Sequence, residues 1–144
     1  MNADTLIGHF LIAMPGMSDP RFERTVIYMC AHSDAGALGL VVNRLAENMT
    51  FPGLMAQLGM ETPDHEDSIT VHFGGPVEQS RGFVLHSADY LQETTLVVSH
   101  DIGLTASVDV LTAIADGSGP KRKLLALGYA GWGPGQLESE ILAN

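Results

Sequence analysis

Residues 25–44 constrain the fold more than any other stretch of the chain, because they predict a single β-hairpin. Two apolar runs rich in β-branched residues flank Ser33-Asp34-Ala35-Gly36, a pattern typical of strand, turn and strand. Asp34 can bond to the backbone two residues on, and Gly36 tolerates a positive φ. Neither face of the first strand is clearly polar, so both faces are expected to be covered.

The rest of the sequence alternates short predicted strands with a few predicted helices. Strands are predicted at residues 10–14 (buried), 69–73, 81–86, 94–100 and 123–130. A turn is expected at 101–103. Helices are predicted from the N-cap Thr50 to Gly59, over 107–116 with Gly117 as the stop, and after 131–135, the last with Leu137 and Ile141 facing inward. Strands outnumber helices and many connections are too short for parallel crossovers. These features predict an α+β fold with a mainly antiparallel sheet.

Length, cysteine content and hydropathy predict a single cytoplasmic domain. The chain has 144 residues and one cysteine, so no internal disulfide can form, which fits a reducing compartment. The first basic residue is Arg21, and the longest early apolar run, residues 6–14, is interrupted by Gly8 and His9. We therefore expect neither a signal peptide nor a membrane span.

The charge of the chain argues against nucleic acid as its direct partner. The formal net charge is −10, from 17 acidic and 7 basic residues, and such a field repels phosphate backbones. The bases are scattered except for Lys121-Arg122-Lys123. We expect this run to be a solvated loop or strand entry, with a nucleic-acid contact as the less favoured alternative. Glu138 and Glu140 are expected on a solvated helix face.

Cys30 is the candidate reactive thiol. Strand alternation places Tyr28, Cys30 and His32 on one face, and an imidazole beside a thiol can favour the nucleophilic thiolate. The more common role of a lone cysteine within a strand is packing. The six histidines show no metal-ligand spacing, so no metal and no cofactor is predicted. His72 and His86 lie on strands that could pair.

Several segments together resemble one family. They are residues 10–15, 19–22, 26–28, His32, 36–44, 74–77, 81–86, 128–132 and 135–138. In this order they resemble the YqgE/AlgH family of bacterial proteins across nearly the whole chain. The resemblance implies one domain over residues 1–144, with a bent, largely antiparallel sheet forming a partial barrel and helices outside. Family chains usually continue past the position of Asn144, so this chain is expected to be truncated at its C-terminus.

The resemblance implies little about activity. Members are named as transcriptional regulators, and no established reaction, cofactor or catalytic set comes with the family. It does draw attention to polar residues at motif positions where packing alone does not demand them. These are Asp19, His32, Asn43, Arg44, Arg81 and His86. We predict that some of them converge on one ligand groove. The alternative is that Arg44–Asp19 or Arg81–acid ion pairs hold loops together.

The leading functional hypothesis is a non-enzymatic regulator that acts through a protein or small-molecule partner rather than by binding DNA directly. Two alternatives remain open. One is an enzyme of unknown reaction on a small anionic metabolite, using the arginines and histidines of the predicted groove. The other is a direct DNA-binding regulator that uses residues 121–123. The sequence leaves the partner open, and a homodimer remains one option.

Overall fold

The computed structural model describes residues 6–12, 24–46, 49–57, 59 and 69–143. Asp19 lies outside these residues. The elements in chain order are β1 (Phe10–Ile12), β2 (Val26–Ser33), β3 (Gly36–Val41), α1 (Phe51–Gln57), β4 (Val71–Phe73), β5 (Val77–Ser87), β6 (Leu96–Ser99), β7 (Ile102–Thr105), α2 (Val108–Asp116), β8 (Lys123–Trp132) and α3 (Gln136–Ala143).

The strands form one bent sheet, which confirms the predicted α+β class. Seven strands follow the order β1-β2-β3-β8-β5-β7-β6, and all their pairings are antiparallel. β4 pairs with β8 off this path and is the one parallel neighbour in the described chain. The sheet curls into a half-barrel, so that β2 and β6, far apart in strand order, line the same groove.

The predicted hairpin is present as β2 and β3, and both its faces are buried as expected. A cluster inside the curl contains Tyr28 and Leu40 together with Phe83. Strands alone contribute the buried residues of this cluster, which places it on the concave side. On the outer side, Ile27 and Met29 of β2 pack with residues that include Leu137 of α3. Because successive strand residues point to opposite faces, one hairpin contributes to two cores.

A second outer cluster lies under the other two helices. Phe51, Leu54 and Met55 of α1 pack with Val110 and Leu111 of α2 and with residues of the sheet. The predicted caps of these helices are confirmed. Thr50 accepts a hydrogen bond from the Gly53 N–H at 3.1 Å, and Gly117 ends α2 in the left-handed conformation with φ 84°, which glycine adopts without a steric penalty.

Several element predictions are wrong. β1 is exposed at Phe10 and Ile12, because it is an edge strand that pairs only with β2 among the described strands. Residues 102–105 are the strand β7, rather than part of a closing turn. Ile141 is exposed although Leu137 is buried. The first turn of α3 packs against the outer cluster that contains Leu137, and Ile141 lies one turn beyond this contact.

His72 and His86 lie on strands that do not pair with each other. β4 and β5 both pair with β8, and β8 runs between them. The two histidines are held separately, with His72 Nδ1 lying 3.3 Å from the Leu125 carbonyl oxygen. The prediction that their strands could pair is therefore wrong.

Candidate functional site

A groove of about 660 Å³ opens where the hairpin tip approaches β6. We call it the hairpin groove. It is lined by Ile7, residues 30–33 and 35–38, Val77, residues 96–98, Tyr129, Gly131 and Trp132. Its lining is mainly apolar. Val97 is 59% exposed and Leu96 is 42% exposed, so large apolar side chains stand at its rim in contact with water.

Cys30 lines the hairpin groove but its thiol is held in the core. The residue is buried, and its Sγ donates to the Tyr28 carbonyl oxygen at 3.7 Å. Burial raises the pKa of the thiol to about 12, because a thiolate would lose its hydration there. The structure therefore favours the packing role of Cys30 over the reactive one.

A β-bulge separates Cys30 from His32. The register of β2 with β3 shifts between Met29 and Ala31, so that Met29 pairs with Gly39 and Ala31 with Leu38. The extra residue reverses the alternation of side chains, and His32 falls opposite Ala37, which packs on the outer cluster under α3. The prediction that Cys30 and His32 share a face is wrong for this reason.

His32 joins the hairpin to α3. Its Nδ1 accepts the Leu6 N–H at 2.9 Å. Its Nε2 must then carry the proton and donate to Glu138 Oε2, also at 2.9 Å. This hydrogen bond is the main cause that lowers the pKa of Glu138 below 4.5. Both ring nitrogens are engaged, so His32 positions α3 and the segment before β1 rather than offering a free base.

A second groove of about 830 Å³ lies at the opposite end of β8. We call it the basic groove. It is lined by residues 85–89, 101–102 and 121–124. Its basic residues are Lys121, Arg122 and Lys123, which are exposed. The hairpin groove and the basic groove thus occupy the two ends of the central strand.

The backbone of the basic run is held by two side chains from the end of β5. Asp89 Oδ2 accepts the Lys121 N–H at 3.0 Å, and Ser87 Oγ accepts the Arg122 N–H at 3.1 Å. The Ser87 hydroxyl also donates to Asp89 Oδ1. The Ser87 hydroxyl first, and the Lys121 N–H second, lower the pKa of Asp89. Asp89 is therefore ionised at neutral pH and fixes the loop.

His86 is buried at the inner wall of the basic groove in a chain of hydrogen bonds. Its Nδ1 donates to the Ser87 carbonyl oxygen at 2.8 Å, so in the neutral ring its Nε2 accepts from the Thr105 hydroxyl at 2.7 Å. Thr105 Oγ1 in turn lies 2.8 Å from Thr95 Oγ1, which accepts the Gln92 N–H. A Cβ at Gly103 would come within 2.8 Å of Thr95, so glycine allows this approach.

The remaining predicted site residues hold backbone or pair on the surface. Asn43 bridges the start of β2, since its Oδ1 accepts the Val26 N–H and its Nδ2 donates to the Arg24 carbonyl. Arg44 follows β3, where its carbonyl accepts the Phe73 N–H. Arg81 pairs with Glu78 at 3.6 Å. This ion pair lies within β5, so it does not hold two loops together as the alternative interpretation expected.

The structure does not bring these residues together in either groove. Among the predicted residues, His32 lines the hairpin groove and His86 lines the basic groove, whereas Asn43, Arg44 and Arg81 line neither. The placement of Asp19 lies outside the described residues. Within the described ranges, no three histidine, cysteine or acidic side chains are placed to share a metal ion. The same ranges contain no helix long and apolar enough to cross a bilayer.

The sequence predictions miss four residues. One of them lines the hairpin groove, and the other three belong to the hydrogen bonds around His32 and His86. Glu138 is predicted on a solvated helix face, and its contact with His32 depends on the packing of α3 against the hairpin. Thr95 lies in a predicted strand and Thr105 in no predicted element, and their shared hydroxyl contact depends on the pairing of β7 with its neighbours. The sequence around Val97 does indicate an unprotected strand. Val97 lies in a short apolar strand without charge or proline, which is unusual for a sheet edge.

Comparison with known proteins gives a consistent result. A family model described as DUF179, AlgH-like, matches residues 10–144. A UPF0301 protein of Rhodospirillum rubrum is 57% identical over 139 residues, which cover 96% of this chain and 72% of that protein. A UPF0301 protein of Cereibacter sphaeroides is 54% identical over 140 residues, covering 96% of this chain and 76% of that protein.

Solved structures agree. The solution structure of the AlgH protein from Pseudomonas aeruginosa matches with a TM-score of 0.86 and 42% identity, covering 99% of this chain and 75% of that one. A crystal structure of a protein from Corynebacterium diphtheriae shares the fold, with a TM-score of 0.72 at 19% identity over 96% of this chain and 72% of that one. The chain therefore belongs to the AlgH-like family.

Proposed function

We propose that this chain is a regulatory binding module whose hairpin groove receives an extended apolar segment of a partner protein. The observation that carries the proposal is the open edge of β6 beside an apolar groove. β6 ends the strand order and, in the described chain, pairs only with β7. The N–H and C=O groups on the outer edge of such a strand are ready to pair with an added strand.

The chemistry of β6 supports a protein segment as the occupant. Proteins usually protect sheet edges with charge or proline, whereas Leu96–Ser99 contains neither. Side chains of an added strand would alternate between the groove and solvent, so apolar residues at every second position would face the mainly apolar lining of the groove. The net charge of −10 favours a basic partner and opposes direct contact with DNA.

The buried histidines support binding rather than catalysis. A general base must reach the proton that it abstracts. The two nitrogens of His32 are engaged by Leu6 and Glu138, and those of His86 by Ser87 and Thr105. Neither ring offers a free nitrogen to a ligand. The regulatory role rests on the resemblance to the YqgE/AlgH family, whose members are named as transcriptional regulators.

Peptide selection with a matched pair of variants tests this function. Val97 and Leu91 are both 59% exposed, but only Val97 lines the hairpin groove. From a random peptide library selected on the purified chain, we expect basic peptides with alternating apolar residues. Val97→Glu should weaken their binding at least about tenfold, through loss of apolar contact and burial of a charge. Leu91→Glu should leave the affinity within about twofold.

Hydrogen exchange and native mass spectrometry complete the test. Bound peptide should slow amide exchange within residues 96–99, because an added strand pairs with their outer backbone groups. Equal losses in the two variants would contradict the proposal. A small molecule that co-purifies with the chain and is lost in Val97→Glu would assign the groove to a metabolite instead. Binding of random duplex DNA at low micromolar affinity near physiological salt would favour the DNA-binding alternative.

A further inference from the structure

The basic groove combines three cations that form no ion pair with a carboxylate in the described part of the chain. Three of the seven lysine and arginine residues of the chain line it. None of the side chains of Lys121, Arg122 and Lys123 forms an ion pair with a carboxylate among the residues that the structure describes. In a chain with a net charge of −10, this groove gathers three cations beside two acidic residues, Asp89 and Asp101.

The two acidic residues of the same groove form no ion pair with its cations among the described residues. The Ser87 hydroxyl is the main cause of the lowered pKa of Asp89, and the charge of Lys121 is a minor one. Asp89 accepts the Lys121 N–H and the Ser87 hydroxyl, and Asp101 pairs with His100 at 3.4 Å. Asp89 therefore fixes the backbone of the basic run without taking up its side-chain charges in an ion pair. An anion entering the groove would meet cations on a loop that is already held in place, which lowers the entropic cost of binding.

The inner wall of the groove adds a second chemical requirement. Leu85, Ile102 and Leu124 contribute aliphatic surface beside the cations, and all three are only partly buried. The volume of about 830 Å³ lies in the range of small-molecule sites, which combine apolar walls with a few polar groups. A ligand that matches both the cations and the aliphatic surface carries more than one negative charge and a flat ring that can pack on that surface.

We propose that the basic groove binds a soluble phosphate ester with an aromatic ring, of the class of a nucleoside diphosphate, whose flat face would pack on the aliphatic wall. The phosphates would lie against the side chains of residues 121–123, and arginine at 122 offers the fork of donors that suits phosphate oxygens. The ring would lie on Leu85, Ile102 and Leu124. This site lies at the other end of β8 from the hairpin groove and does not depend on the function proposed for that groove.

Calorimetric titration with ADP, using the full chain and one matched control, tests the proposal. Arg122→Asn removes one cation of the groove. The Arg122 side chain is exposed, and it is the backbone of this residue that bonds Ser87. Arg24→Asn removes one exposed cation far along the chain, at a position with φ 56° where asparagine is well tolerated. The two variants therefore have the same net charge and the same substitution.

We expect saturable 1:1 binding of ADP with a Kd below about 1 mM. Arg122→Asn should raise this Kd at least about fivefold and reduce its salt dependence, whereas Arg24→Asn should change it less than about twofold. Pyrophosphate should bind more weakly than ADP, because it lacks the ring. Unchanged thermal unfolding of Arg122→Asn would confirm that the loss is one of binding.

Three results would overturn the proposal. The first is a titration with ADP that gives no saturable heat. The second is an equal change of the Kd in the two variants. The third is a Kd for pyrophosphate as low as that for ADP, because the aliphatic wall would then contribute nothing to binding. Vesicles of phosphatidylglycerol distinguish a lipid source of the phosphate. Binding to these vesicles that requires Arg122, together with no binding of ADP, would assign the groove to a membrane headgroup and reject a soluble ligand.

Discussion

The two ends of β8 differ in how their polar groups are used. At the C-terminal end, around Tyr129 and Trp132, the hairpin groove is apolar and its one imidazole, His32, is fully engaged. At the N-terminal end, Lys121 and Arg122 present charges that no described carboxylate neutralises in an ion pair. The same strand thus ends in two grooves whose polar groups differ. The two grooves differ in whether their polar side chains already have hydrogen-bond or ion-pair partners, and the net charge of the chain does not show this difference.

The largest expected effect concerns the thiol at the hairpin end. Cys30 has a pKa of about 12, against 9.0 for an unperturbed thiol, which lowers the thiolate fraction near pH 8 by on the order of 10³. Alkylation by iodoacetamide should therefore be slower by a similar factor in the folded chain than in the urea-unfolded chain. Because Cys30 is the single cysteine, the mass of the adduct reports this site alone.

The outcome of this alkylation separates a binding groove from a redox site. A folded-state rate close to the unfolded rate would contradict the packing role of Cys30 and give the hairpin groove a reactive group. Protection that disappears when the apolar rim is altered by Val97→Glu would instead show that rim packing excludes the reagent. Either result sharpens the contrast with the basic groove, whose cations are open to solvent.

The next effect concerns the hydroxyl chain behind the basic groove. Thr105→Val keeps the shape of the side chain but removes the donor to His86 and the contact with Thr95. Leaving these buried groups unpaired should lower the free energy of unfolding by about 2 kcal/mol. Urea denaturation measures the change, and Thr105→Ser, which keeps the hydroxyl, serves as the control.

Hydrogen exchange then tells which end of the sheet responds. We expect Thr105→Val to speed exchange in β7 and at the end of β5, next to the basic groove, while the hairpin tip keeps its protection. A valine variant as stable as the wild type would show that the hydroxyl chain contributes nothing. Uniform loss of protection across both ends would mean that the grooves are not separate structural regions.

Sequence patterns predicted the sheet better than the two grooves. The apolar runs of the hairpin and the caps at Thr50 and Gly117 are local signals, because turn chemistry and helix capping depend on residues close in sequence. The bulge after Met29 has no such signal. It moves His32 to the other face and so separates it from Cys30, a relation that strand alternation alone predicted wrongly.

The predicted site residues show the same limit. His32 and Glu138 are 106 residues apart in sequence, and His86 and Thr105 meet only because β5 pairs with β7. Polar residues at motif positions were therefore recognised, but their partners depend on tertiary packing. Asn43, one of the six candidates for the ligand groove, bonds the Val26 N–H and the Arg24 carbonyl oxygen at the start of β2.

The smallest expected effect is a pH dependence at the hairpin end. The His32 hydrogen bond holds the pKa of Glu138 below 4.5 in the folded chain. A depressed carboxyl pKa stabilises the fold at pH values above the unfolded pKa, and this contribution is lost as the pH falls through the folded pKa. The difference in free energy of unfolding between wild type and Glu138→Gln should be constant above pH 4.5 and shrink below it.

Denaturation across this acidic range, with a double variant as the control, makes the assignment specific. In a His32→Gln background the main cause of the lowered pKa is absent, so Glu138→Gln should no longer change the acid dependence of stability. If it still does, the stabilising partner of Glu138 is a group other than His32. The basic end offers an internal reference, because Asp89 also has a lowered pKa but is held by Ser87 and the Lys121 backbone. Its contribution should persist in both His32 and Glu138 variants, since the two ends of β8 share no polar contact in the described chain.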